Sequence, residues 1–407
     1  MRFKYLPLIL PALTLPVAAQ ETAQAIQQEI ELIRNYSNFD LKFFEGNMFI
    51  AEVDTSVEHI DNFEFSPDDK ESTIAYSLNP KAFVQVHQDN HLFQSFIDIK
   101  RNQFADFSDD DHNEYHVLGK YFYRLGGEHR LLASFTFDES YEYRGSGLSK
   151  GLADVVDTGN TIQETLVNVG YQRGRPGGVS HINLLLGANK LEYQTNAEIT
   201  DRFNFDTVFA IGDFDYLYTG KTYFTSTFTY YDFTYDNASD LERTELGFMV
   251  GAKWEASLAS KFEALVGYQE IELTESKLKL DQTKWRFIYT WEPSEQIRLS
   301  ISSKRQTENN SEVASDFAIA DLHLLLFNYE FTEFTAFDFI TKIETTDVQF
   351  NGTSREEEEL AITTRFSYWW HPRVTFNVSY GYEENDSDFE AFSYEQNRFS
   401  VGATFRF

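Results

Sequence analysis

The sequence predicts an all-β protein: a transmembrane, antiparallel, up-and-down β-barrel of about 18 strands, with 16 the neighbouring even count, and a short N-terminal helix. Three observations carry this. In residues 399–407 every odd position is apolar (Phe399, Val401, Ala403, Phe405, Phe407) and every even one is small or polar (Ser400, Gly402, Thr404, Arg406). Side chains alternate faces along a strand, so this strand has one greasy and one wet face. The pattern recurs along most of the chain, with aromatics at strand ends. Short turns also alternate with long polar loops, as in barrels whose outside is lipid and whose inside is water.

The elements follow in order. Residues 1–19 read as a secretory signal peptide: Arg2 and Lys4, an apolar run, and a small-residue stop at Val17-Ala18-Ala19. The run is broken by Pro7, Pro11 and Pro16 and falls short of the ~20 residues a spanning helix needs. In residues 20–45, Ile26, Ile30 and Ile33 have helical spacing. Arg34 near the end suits the helix dipole. This segment is either a periplasmic or lumen-plugging helix, or a marginal helix ahead of the first strand.

Residues 46–407 are the expected barrel. Its clearest part is C-terminal. In residues 373–382 Val374, Phe376, Val378, Tyr380 and Tyr382 share a face, and in 360–370 Leu360, Ile362, Phe366, Tyr368 and Trp370 do. Only His371-Pro372 separates the two, a tight turn. Upstream, Trp285-Phe287-Tyr289-Trp291 precedes a turn at 292–295, and Leu246-Phe248-Val250-Ala252-Trp254 leads to Phe262-Ala264-Val266-Tyr268. Further short turns fall at 89–91, 126–128, 174–178 and 219–220. Long loops are expected at 104–113, 144–160, 235–241, 272–282, 307–315, 345–355 and 383–396. The strand pattern is weakest over 46–90.

Composition narrows the function classes. Phe and Tyr number 39 and 23, a load that suits aromatic girdles at two membrane interfaces. Cysteine is absent, so disulfides do not stabilise this exported chain. The net charge of -31 disfavours nucleic acid, which demands excess Lys and Arg. Acid concentrates in 108–111, 356–359 and 383–388, between strand patterns, and reads as solvated surface loops, with a divalent-cation role among charged lipid head groups as the alternative. None has the calcium-loop spacing. No metal or cofactor site is indicated: His87 and His91 on a strand and turn do not converge on a metal. No Gly-x-Ser-x-Gly elbow appears, and the chain does not read as an enzyme.

If Phe407 faces lipid, parity turns Arg398 and Arg406 inward, and likewise Lys253, Lys284, Arg286, Arg298, Lys304, Arg365 and Arg373. A charge on the lipid face would cost roughly 2–4 kcal/mol at mid-membrane. These nine are the candidate pore-lining residues. They either favour anions, or pair with inward acids such as Glu245 or Asp338 and fill the lumen.

The punctuation carries a resemblance. Trp291-Glu292-Pro293 with Arg298 and Lys304-Arg305, Trp370-His371-Pro372-Arg373, Tyr380-Gly381-Tyr382 and Tyr394-Glu395-Gln396-Asn397 resemble the outer-membrane β-barrel porins of exopolysaccharide-export systems, the EpsL-type family. Tyr143-Arg144-Gly145 and the turn near Gly174 are compatible with it. The resemblance covers residues 46–407. It implies a conduit or component for exopolysaccharide export, with outer-membrane lipid, lipopolysaccharide and the export proteins as partners. The terminal aromatic resembles the signal read by the barrel-insertion machinery, which gives Phe399, Val401, Phe405 and Phe407 an assembly role. A general or small-solute porin, or a structural surface barrel, is the alternative.

Overall fold

A computed structural model describes residues 47–407 apart from 154, 175–177, 309–316 and 351–352. The expected signal peptide and N-terminal helix lie outside the described residues. Eighteen strands form one sheet, in chain order β1 (Met48–Ile60), β2 (Thr73–Gln88), β3 (His91–Phe104), β4 (His112–Gly126), β5 (His129–Glu142) and β6 (Asn160–Arg173). There follow β7 (Ser180–Tyr193), β8 (Phe205–Thr219), β9 (Thr222–Tyr235), β10 (Arg243–Trp254), β11 (Ser260–Leu273) and β12 (Lys279–Ser294). The last six are β13 (Ile297–Glu308), β14 (Phe317–Thr332), β15 (Thr335–Phe350), β16 (Thr353–His371), β17 (Val374–Ser387) and β18 (Tyr394–Arg406).

Each strand pairs antiparallel with its chain neighbours, and β1 pairs with both β2 and β18, so the sheet is closed. Closure leaves no open edge, which a membrane would not tolerate. The 18-stranded barrel is the fold expected from the alternation. Among the described residues the one α-helical turn, Ala197–Thr200, lies in the β7–β8 loop.

The two ends differ. At one end the connections are mostly two residues long, as at 89–90, 220–221, 333–334 and 372–373. Gly126 and Gly127 hold φ of 109° and 61° at the β4–β5 turn, a backbone that glycine adopts without strain. The start of β1 and the end of β18 share this end. Trp254, Trp291 and Trp370 lie on the outward face near it, where an aromatic girdle is expected. The other end carries the long loops.

Outward faces are apolar and exposed along every clear strand: Phe376, Val378 and Tyr380 on β17, or Leu246, Phe248 and Trp254 on β10. Inward neighbours such as Thr363, Ser367 and Ser379 are polar and buried. β2, where the pattern is weakest, contains Pro80. The β2–β3 ladder runs to Leu78↔Arg101 and resumes at Lys81↔Asp98, because proline offers no N–H to it.

Three expected loops are strand instead. Glu356–Glu359 belong to β16, and Glu383–Ser387 belong to β17. Where a loop is expected at 345–355, β15 runs to Phe350 and β16 starts at Thr353. A run of acids resembles an interruption of the pattern, but carboxylates occupy alternate faces as well as any other side chain.

Candidate functional site: the lumen and the loop that crosses it

The nine basic candidates divide by surroundings. Arg365 donates from Nη2 and Nε to Asp338 Oδ2 at 2.7 and 3.0 Å, across β16 and β15. Arg286 donates to Glu263 at 2.9 Å, and Lys253 sits 2.9 Å from Asp215 and 3.8 Å from Glu263. Arg398 is buried, donates to Gln396, and lies over the rings of Tyr143 and Phe65. Lys284 and Lys304 are half-buried on the inward faces of β12 and β13, with Lys304 opposite Arg286 in register.

The other three sit at the short-turn rim. Arg298 pairs with Glu292 at 2.7 Å and Arg406 with Glu52, both half exposed. Arg373 lies in the exposed turn between β16 and β17, not on a strand. Asp338, one of the inward acids expected to pair with these cations, is the partner of Arg365. Five of the nine, namely Lys253, Arg286, Arg298, Arg365 and Arg406, are bound to carboxylates.

The four terminal candidates Phe399, Val401, Phe405 and Phe407 all project outward. The Phe407 N–H donates to the Ala51 carbonyl at 2.9 Å, which extends the β1–β18 ladder to the last residue.

The long polar loop expected at 144–160 is present as residues 143–159, and it folds over the lumen. Its root is held by Arg144, whose guanidinium meets fully buried Asp110 at 2.7 Å and Glu64 at 3.1 Å. Burial opposes the Arg144 charge, and Asp110 more than offsets this, so the guanidinium holds its proton more firmly than usual. Asp110 also accepts from Tyr141 Oη at 2.6 Å and from the Gly159 N–H at 3.1 Å. One carboxylate thus ties both ends of the loop. Burial pushes the neighbouring Tyr143 phenol well above its ordinary range, so it stays neutral.

Further along, Leu148 packs with Phe203, Phe205, Tyr235, Ala238 and Leu241 from β8, β9 and their loops. Lys150 then reaches Glu357 Oε2 on β16 at 2.5 Å. Strand β16 lies seven strands from β5 round the shorter way of the sheet. Gly145 (φ 79°) would place a Cβ 1.9 Å from the Glu64 carbonyl oxygen. The loop is therefore a packed strap, not a solvated arm.

Beneath it lies a cavity of about 210 Å³. Glu142, Glu308, Glu344, Glu357, Glu359 and Glu383 line it, against Lys150 and Lys342. Lys342 meets Glu359 at 2.8 Å and Glu344 at 3.3 Å. Arg355 takes the second oxygen of Glu357 at 2.6 Å. The remaining three acids accept from neutral donors: Glu142 from Asn160 at 2.6 Å, Glu308 from Gln306 at 2.6 Å, and Glu383 from the Tyr394 hydroxyl at 2.6 Å. Tyr141, Tyr143, Tyr394 and Phe65 supply aromatic walls. Among the described residues, no cluster of three or more His, Asp or Glu is arranged to hold a metal. The signal for these acids was in the sequence: Glu357 and Glu359 share parity with Ala361 and Thr363, and Glu383 with Gly381 and Ser379.

Residues 46–407 match the family described as "Putative beta-barrel porin 2". The chain belongs to this family. A closed barrel of this kind with a lipid-compatible outside is a bacterial outer-membrane protein, its long loops at the cell surface and short turns in the periplasm. No curated protein matches the sequence. Solved structures similar to it include OccK5 (OpdH) of Pseudomonas aeruginosa, at 11% identity and TM-score 0.49, over 90% of this chain and 99% of that one. OccK2 (OpdF) of the same organism is similar at 14% identity and TM-score 0.49, over 89% and 99%. The FrpB iron transporter of Neisseria meningitidis is similar at 10% identity and TM-score 0.47, over 92% and 83%.

Proposed function

We propose that this porin-family barrel passes small water-soluble solutes across the outer membrane, through a lumen narrowed at the cell-surface end by the loop 143–159. The observation that carries the reading is the reach of that loop. It is tied at its root by Arg144 to Asp110 and across the lumen by Lys150 to Glu357. A strap so placed suits solutes of limited size. The test is swelling of liposomes holding the refolded protein, with neutral sugars of increasing size. Influx is expected for monosaccharides and a steep fall for larger oligosaccharides. Equal rates across the series, or none at any size, would overturn the reading.

A second reading, a conduit or component for exopolysaccharide export, is favoured by the strand punctuation at Trp291-Glu292-Pro293 and Trp370-His371-Pro372-Arg373. An anionic polymer would need the strap displaced and the paired inward cations released. Loss of surface polysaccharide on deletion of the gene, restored by the intact chain, would favour the polymer.

A further inference from the structure

We propose that the strap is an autoinhibitory gate, and that Lys150 serves as a tethered stand-in for a cationic solute. This rests on the porin reading above and names the solute class that releases the pore. Lys150 is carried by a loop rooted between β5 and β6, yet its ammonium is seated on Glu357, 207 residues away in sequence on β16. The seat is the acidic cavity, where six glutamates face two lysines, with Arg355 behind as a third base. Withdrawing Lys150 leaves this cavity one positive charge poorer. A poorly screened cavity raises the local concentration of a replacing cation.

A solute with a primary ammonium presents the same three donors as Lys150 to the same carboxylate. Its aliphatic part would lie against the Tyr141, Tyr143 and Tyr394 rings, which also attract cations. Nothing covalent changes: one ammonium–carboxylate pair is exchanged for another, and the strap is freed from β16. The root need not move, because Arg144 and Asp110 are held independently of Lys150. A dicarboxylate has no such exchange available, since the cavity already carries excess acid.

The experiment is single-channel recording of the refolded full chain in planar bilayers, with 1,4-diaminobutane or succinate added on the loop side. Heat-modifiable migration confirms a folded barrel for each variant. The wild type is expected to open at a low basal frequency that still admits monosaccharides, to open several-fold more often with the diamine, and to ignore succinate. Lys150→Met should be open from the start and insensitive to the diamine, whereas Lys150→Arg should behave as wild type. A folded Lys150→Met with wild-type conductance and an unchanged diamine response would overturn the gate. So would equal opening by diamine and succinate. A third protein, with residues 145–158 replaced by a short Gly-Ser linker, separates the two readings. If it conducts while Lys150→Met does not differ from wild type, the gate alone fails. If it is folded and carries no current, the porin reading fails with it.

Discussion

Arg406 on the last strand and Glu52 on the first form an ion pair across the seam where the barrel closes. Beside it the Phe407 N–H completes the ladder, and the Phe407 ring projects into the lipid zone. The two contributions differ in size. The ion pair is half exposed on its Arg406 side, and pairs of that kind contribute at most about 1 kcal/mol. Placing a Phe side chain in an apolar phase contributes about 1.5–3 kcal/mol.

The first prediction follows from that difference. Phe407→Ala should lower the amount of heat-modifiable barrel in outer-membrane fractions well below that of Glu52→Ala. Ser400→Ala, which changes one inward hydroxyl, should assemble as wild type. Equal levels for all three would show that the terminal aromatic carries no assembly role.

The second concerns the root of the strap. Asp110 is fully buried and serves Arg144, Tyr141 and Gly159 together. Removing one partner of a buried ion pair costs about 3–5 kcal/mol, because the other charge is stranded. Asp110→Ala should therefore detach the strap while the ladders below it persist. Limited proteolysis of the refolded barrel should cut within 143–159 in the variant and leave the wild type intact. Resistance equal to the wild type would mean that Asp110 does not hold the strap.

A third prediction tests the same strap through its backbone. Gly145→Val adds a Cβ that meets the Glu64 carbonyl oxygen at 1.9 Å, at a φ that a β-branched residue avoids. The expected outcome is the protease sensitivity of Asp110→Ala with full barrel assembly. Gly119→Val, which has open space at its Cβ, is the control.

How much of this was legible in the sequence differs by element. β18 was readable from Phe399 onward, because Phe399 to Phe407 alternate without interruption and lipid outside rewards strict alternation, whereas its start at Tyr394 lay in the expected loop. β16 was truncated at Leu360, because four consecutive glutamates look like a solvated loop until their parity is followed into the strand. β2 was obscured by Pro80. The inward directions of Arg365 and Asp338 both followed from period two, but that they meet each other did not, since cross-strand register depends on turn lengths. The strap was hidden for another reason. Lys150 and Glu357 meet only when the sheet has closed, and no local pattern links residues so far apart.

The fourth prediction concerns the wall. Arg365 and Asp338 are both largely buried, and two guanidinium nitrogens of Arg365 donate to the one oxygen Oδ2 of Asp338. Arg365→Met alone should lower the temperature at which the barrel loses its heat-modifiable migration, because it leaves the Asp338 charge uncompensated. The double variant Arg365→Met with Asp338→Leu should recover most of that loss, since apolar replacement of a buried pair is often nearly neutral. A double variant that is the sum of two destabilising singles would show that the two residues act independently.

The last prediction is the sign of selectivity. Inward basic residues alone would favour anions, but Lys253, Arg286 and Arg365 are already held by carboxylates. The acids of the cavity under the strap exceed its bases, and Glu142, Glu308 and Glu383 are satisfied by neutral donors. Once conducting, the pore should prefer potassium over chloride in a salt-gradient reversal potential. Changing the three to Gln together should move the reversal potential toward zero, because each amide oxygen can still accept from Asn160, Gln306 or Tyr394 while the charge is gone. Arg373→Gln, in an exposed turn at the far rim, should leave it unchanged. The preference should also weaken toward 1 M salt, where the screening length falls to about 3 Å. Chloride preference in the wild type, or a triple variant with the wild-type reversal potential, would show that the paired cations of the wall govern the pore after all.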